Sequence, residues 1–320
     1  MSLLSDAQQP ELARQAQWLK GCAIFLCSLV AFACLDAFAK DLMGRYSAPL
    51  VNFARYSVII VLAWCLLWMK RVPMRVAPAD RKLLIYRGAM LGMVGITFMP
   101  ALQYLPLAEG TALYFVSPLM VVLLAPMVLR ENVGVKQYTA VGLGMIGMLC
   151  IVNPLGNVTG EQGVDSGLSL IGSLLMLVSA TGYAMVQLFT RKLANRVQSE
   201  QIFAYSALIC WLLGFVVLIF WWPTTWPNAR DTIEMILMGV SGGIGQFLLI
   251  YAFKIVPAST LAPFNYFQLV LAVLFGELFF AQMPSLLSLT GMALIVAAGA
   301  LSSAVSARRS LSHAGAGSSR

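Results

Sequence analysis

Charge is scarce in this sequence, and histidine almost absent. Only 11% of the 320 residues are charged, against about 25% in an ordinary soluble domain, so a water-facing globular surface is excluded. The one histidine, His313, sits in the small, basic C-terminal stretch, which leaves the body of the chain without imidazole for catalysis or metal ligation. The six cysteines at 22, 27, 34, 65, 150 and 210 have no metal-ligand spacing and read as small packing residues. There is no G-x-x-x-x-G-K-[ST] loop and no nucleophile–histidine arrangement. These absences argue against an ATPase, a metal centre, a bound cofactor and a membrane-embedded enzyme.

What remains is apolar. Hydrophobic residues make up 60% of the chain and the mean hydropathy is +0.82. Runs of about 18 or more apolar residues recur along it, which predicts a polytopic all-α integral membrane protein. Ten spans are expected, near residues 21–39, 49–69, 83–104, 107–129, 134–152, 167–190, 200–222, 232–254, 257–281 and 285–305. Residues 1–20 read as a polar tail, 153–166 as a linker and 306–320 as a disordered basic tail. The first span has signal-peptide features but takes part in the repeat described below, so it is read as retained.

The net charge of +8 needs no nucleic acid, because the basic residues lie in short loops, where they set topology. With the N-terminus inside, 16 Lys and Arg residues fall inside and only Lys40, Arg45 and Arg230 outside; Arg55 and Arg87 lie within spans. Both termini are therefore expected on the cytoplasmic face of an inner membrane.

Residues 87–131, RGAMLGMVGITFMPALQYLPLAEGTALYFVSPLMVVLLAPMVLRE, form two apolar runs joined around Leu105-Pro106-Leu107. A shift of 151 residues superposes Gly21 on Gly172, Ser28 on Ser179, Lys40 on Arg191, Arg45 on Arg196, Gly88 on Gly239, Gly92 on Gly243, Ala101 on Ala252 and Pro106 on Pro257. Two repeats, 21–152 and 167–305, then hold five spans each, and an odd number inverts the second copy. The expected fold is two inverted five-helix repeats around a central cavity, an architecture associated with secondary transporters. Gly88, Gly92, Gly239, Gly243, Gly142, Gly144 and Gly147 are expected at close helix contacts, and Pro100, Pro118, Pro126 and Pro263 at bends.

A charged side chain at membrane depth costs about 2.5–3.5 kcal/mol and needs a reason. Asp36 and Arg55 lie at similar depths. They could form a structural ion pair, or Arg55 could anchor an anionic group with Asp36 as counter-ion or proton site. Glu109 and Glu277 read either as proton-coupling groups or as interfacial carboxylates, and Arg87 as a snorkelling residue near the cytoplasmic end. Neutral polar and aromatic candidates for a cavity lining are Tyr114, Ser117, Tyr183, Asn265, Tyr266 and Gln268, with Tyr104, Gln187, Gln246 and Tyr251 expected nearby. The 151-residue shift superposes Tyr114 on Asn265, Phe115 on Tyr266 and Ser117 on Gln268. Such a lining suits a small organic solute with an apolar body and polar ends; scattered interhelical hydrogen bonds are the alternative.

The stretches PLVNFARY, ALQYLPLAEGTALYFVSPLMVVLLAP with Arg130-Glu131, and LAPFNYFQLVLAVLFGELFF resemble EamA-type permeases of the drug/metabolite transporter superfamily, over residues 21–305. The resemblance implies ten helices in two inverted repeats, a cavity opening alternately to each side, and transport of small metabolites. Where the family often closes the hairpin with Gly-Glu, this chain has Arg130-Glu131 and then Ala281-Gln282. The expectation is a non-ATP exporter of amino-acid-like solutes, with proton coupling and a homodimer as further possibilities. An importer of a nucleotide-like or vitamin solute and a non-transporting scaffold or sensor are the alternatives.

Overall fold

The computed structural model describes residues 9–129, 135–152, 166–193, 196–255 and 262–317. These form α1 (Gln9–Met43), α2 (Ala48–Lys70), α3 (Pro78–Tyr104), α4 (Leu107–Tyr114), α5 (Ser117–Leu129), α6 (Val135–Val152), α7 (Ser166–Leu193), α8 (Ser199–Phe220), α9 (Ala229–Ile255), a 3-10 turn (Ala262–Tyr266), α10 (Phe267–Phe280) and α11 (Leu286–Gly317). Among the described residues seven stretches are long and apolar enough to cross a membrane, while Val141–Ile151, Phe264–Phe280 and Leu286–Leu301 are shorter apolar helices. Both α1 and α11 extend well into the segments read as tails. The Arg130-Glu131 pair, the turn at Pro257 and the connection 153–165 lie outside the described residues.

Two spans are not continuous. The fourth breaks at Phe115-Val116, between α4 and α5, and Pro118 stands in the first turn of α5, where its missing N–H costs nothing. The ninth begins as the 3-10 turn containing Pro263 and becomes α-helical at Phe267. The two changes fall at positions 151 residues apart. Pro106 precedes α4, and Pro100 and Pro126 lie inside α3 and α5.

Helix contacts follow the same shift. α1 lies along α9 as α7 lies along α3; α2 meets α9 as α8 meets α3; α1 meets α10 as α7 meets α5. α2 with α8 and α6 with α11 are contacts between equivalent elements, and α4 also meets α10. Glycines make the approach close. A Cβ at Gly88 would lie 2.6 Å from Ile209 and one at Gly239 2.5 Å from Val58; at Gly92 and Gly243 it would lie 2.5 Å from Leu213 and Leu62. Positions 58 and 209, like 62 and 213, differ by 151, so each contact has its counterpart. Gly144 and Gly147 are crowded by Leu119 and Gly291, whereas Gly142 faces open space.

Ion pairs repeat too. Arg45 meets Asp231 at one end of the bundle, and Arg196 meets Asp80 at 3.6 Å in the equivalent place. The first is reinforced: Arg45 also bonds Asp41 and Glu234, and Tyr46 donates to Asp231. The hydrogen bond to Glu234 is the first cause of a raised Arg45 pKa, and donation to Asp231 does the same for Tyr46. Lys40 donates to the carbonyls of Leu102 and Leu105 at 2.6 and 2.5 Å, neutralising the negative end of α3.

Candidate functional site

Among the described residues three charged side chains are buried along the spans, apart from Asp231 at the start of α9. Asp36 on α1 is 7% exposed, Arg55 on α2 8% and Arg87 on α3 3%. None joins an ion pair within 4 Å; the ion pairs of the described residues lie around Arg45, Arg196 and Arg230. The expected Asp36–Arg55 pair is therefore not formed. Asp36 accepts from Gln268 Nε2 of α10 at 3.1 Å, so a residue beside the second helix break takes the place of a cation.

Arg55 is held from its own helix. Its Nη2 donates to Asn52 Oδ1 at 3.1 Å, and its guanidinium carbon sits 4.4 Å from the centre of the Tyr56 ring, a cation–π contact. Its Nε is buried without a hydrogen-bond partner. Gly95 of α3 makes room: a Cβ there would lie 2.8 Å from Asn52 Oδ1 and 2.9 Å from Arg55 Nη2. The Tyr56 hydroxyl lies against the Cys210 thiol, which donates to the Gly88 carbonyl at 3.6 Å.

Arg87 does not snorkel. It crosses to two helices, donating from Nε to Thr190 Oγ1 at 2.7 Å and from Nη1 to Ser206 Oγ. Both hydroxyls give their own protons to the backbone, Thr190 to Val186 O and Ser206 to Ile202 O, each at 2.6 Å, which turns their lone pairs toward the arginine. Hydropathy sets the depth of a residue along a span but not the side it faces, so the sequence could not separate a snorkelling Arg87 from a buried one.

The aromatic lining gathers at the first break. Tyr114, the last residue of α4, has its ring 5.2 Å from Phe98 and 5.1 Å from Tyr183. Phe115 and Tyr266, equivalent residues of the two halves, meet at 5.8 Å, so the breaks face one another. Tyr266 then passes over Gly299 of α11, where a Cβ would fall 1.1 Å from its hydroxyl. Ser117 is buried at the start of α5 and Asn265 is half-buried in the 3-10 turn.

Other expected residues lie apart. Glu109, at the start of α4, accepts from Ser288 Oγ at 2.7 Å and so links α4 to α11. Glu277 is exposed near the end of α10, as an interfacial carboxylate would be. Tyr251 is 39% exposed and stacks on Phe247. Asn52, Tyr56, Gly95, Thr190, Ser206 and Cys210 were not singled out from the sequence; the first two could have been, standing one helical turn and one residue from Arg55. Among the described residues no group of three His, Cys, Asp or Glu side chains is placed to hold a metal. An apolar cleft of about 380 Å³ among α2, α8 and α9, lined by Phe53, Phe215, Trp222 and Trp226, carries no charged group and is separate from this cluster.

A set of buried cations and one carboxylate, beside aromatic rings at paired helix breaks, can bind an organic ion. Comparison with known proteins agrees. The model of the EamA-like transporter family matches residues 19–153 and again 170–304. The S-adenosylmethionine uptake transporter of Rickettsia prowazekii (strain Madrid E) is 25% identical over 285 residues, 88% of this chain and 91% of the relative. The pseudopaline exporter CntI of Pseudomonas aeruginosa (strain UCBPP-PA14) is 25% identical over 268 residues, 83% and 90% of the two chains. A solved crystal structure with 19% identity has the same fold, with a TM-score of 0.62 over 92% of this chain and 98% of its own. The chain belongs to the EamA-like transporter family of the drug/metabolite transporter superfamily and carries two copies of its domain.

Proposed function

We propose that this protein is a secondary transporter of an amino-acid-like solute, working by alternating access in the inner membrane with both termini cytoplasmic. The observation that carries the reading is Arg55: a buried guanidinium with an unpartnered Nε, beside broken helices of the kind that form transporter sites. A carboxylate of the solute would take Arg55, and its ammonium Asp36. Tyr114, Tyr183 and Tyr266 would face the body, and Ser117, Asn265 and Gln268 would supply neutral hydrogen bonds. The paired contacts across the 151-residue shift support two repeats of inverted topology, which give the cavity equivalent exits on the two faces.

Export is the primary reading of direction. Import is the second, favoured by the relatives named for S-adenosylmethionine uptake. That compound is an amino acid carrying a nucleoside, so it joins the amino-acid head inferred from Arg55 and Asp36 to a nucleotide-like body. Asp36, with Glu109 and Glu277, is the candidate proton-coupling set; flux indifferent to an imposed pH gradient would remove that part. A homodimer belongs to the same reading and is tested by the mass of the detergent-solubilised protein.

The experiment is a thermal-shift screen of the purified chain against amino acids, nucleosides and vitamins, followed by counterflow of each stabilising compound in proteoliposomes. Stabilisation and saturable counterflow by an amino-acid-like compound are expected. A protein with neither response to any of the three classes is a scaffold or sensor instead.

A further inference from the structure

The charge balance inside the bundle leaves one arginine unexplained. Asp36, Arg55 and Arg87 are all more than nine-tenths buried, so among the described residues, and apart from the Asp231–Arg45 pair at one end, the interior holds two cations and one anion that are not ion-paired. A buried guanidinium held only by neutral groups is costly unless something negative meets it. Arg87 is held by two hydroxyls whose protons point away, an arrangement that fixes its direction without neutralising it.

The repeat gives Arg87 a place. Adding 151 to 55 gives 206, so Ser206 is the equivalent of Arg55 in the second half, and the Arg87 guanidinium rests on the Ser206 hydroxyl. A guanidinium therefore stands at each of two equivalent positions: Arg55 directly, and Arg87 supplied from α3 where the second half has a serine. We propose that Arg87 is a second carboxylate subsite of the transport path, paired across the repeat with Arg55. It rests on the reading of Arg55 as an anion anchor and adds to it. A solute with two carboxylates engages both arginines together; a solute with one engages each in turn as the two halves exchange exposure.

The test is thermal unfolding of the full chain in detergent, in potassium glutarate or in potassium chloride at matched ionic strength, for wild type, Arg87→Met, Arg87→Lys and Arg55→Met. Glutarate should raise the wild-type Tm by more than about 2 °C through binding to the folded state. Arg87→Met, which removes an unneutralised charge, should unfold in chloride within about 4 °C of wild type or above it. Its glutarate response should fall at least threefold, while Arg87→Lys retains half or more. A drop in chloride beyond that limit, or an undiminished glutarate response, overturns the subsite and makes Arg87 a structural crosslink. A response lost in Arg55→Met but intact in Arg87→Met leaves the Arg55 reading standing without the subsite. No response in wild type contradicts both.

Discussion

Arg55 shows how a single residue can be costly to the fold and still retained. Its partners are an amide one helical turn away and the face of a ring, contacts that aim a guanidinium without discharging it. Arg55→Lys should keep the charge but lose the planar fork that matches a carboxylate, so solute affinity falls even though the net charge is unchanged. Gly95 gives an independent check, since it makes room for the guanidinium from another helix. Gly95→Ala should displace Arg55 and raise the KM on the order of tenfold to a hundredfold, with little change in stability because the crowded atoms are side-chain ends. Transport kinetics of the purified variant in proteoliposomes would read both effects. The cost of burying charge made Arg55 and Asp36 legible in the sequence. Gly95, Thr190 and Ser206 were not, because their roles depend on which side of a neighbouring helix faces them.

At the scale of elements, the two broken spans and the two end clasps carry separate consequences. Tyr266 reaches from the second break onto Gly299, and a methyl there would overlap its hydroxyl. Gly299→Ala should therefore push the ring off Phe115 and destabilise the protein by about 1–3 kcal/mol, measured by thermal unfolding. The clasps differ in strength although they are equivalent in position. Asp231 is 3% exposed and joins Arg45 and Tyr46, whereas the Asp80–Arg196 pair has an arginine side chain 68% exposed. Asp231→Asn should cost about 1–3 kcal/mol, because the buried carboxylate loses its charge-assisted bonds to a part-exposed Arg45 and to Tyr46, and Asp80→Asn less than about 1 kcal/mol. Equal losses in denaturation of the two variants would contradict this ranking. Proline marked the neighbourhood of both breaks in the sequence, but the break itself falls at Phe115-Val116, which no residue type announces. The reciprocal aspartates went unnoticed because each precedes its expected span, outside the apolar runs that defined the register.

For the whole molecule, the 151-residue register was legible because the two halves keep it without a gap across four helices, and the structure pairs their contacts in that register. The ten apolar stretches were legible for the same reason that membranes are permissive: hydropathy and length decide them. What hydropathy does not determine is rotation about each helix axis, so the Asp36–Gln268 contact and the burial of Arg87 had to come from the structure. Those two corrections change the site. An ion pair is replaced by a carboxylate on an amide and two arginines held by neutral groups, which is why the account centres on anion recognition. The measurement that tests it most directly is counterflow of an amino-acid-like solute by the purified protein in proteoliposomes, wild type against Arg55→Met, with folding of the variant checked by thermal unfolding. The account predicts saturable counterflow in wild type and at least a tenfold loss of Vmax/KM, the cost of about 1.4 kcal/mol of binding, in a variant that remains folded. Equal counterflow in the two proteins would contradict it.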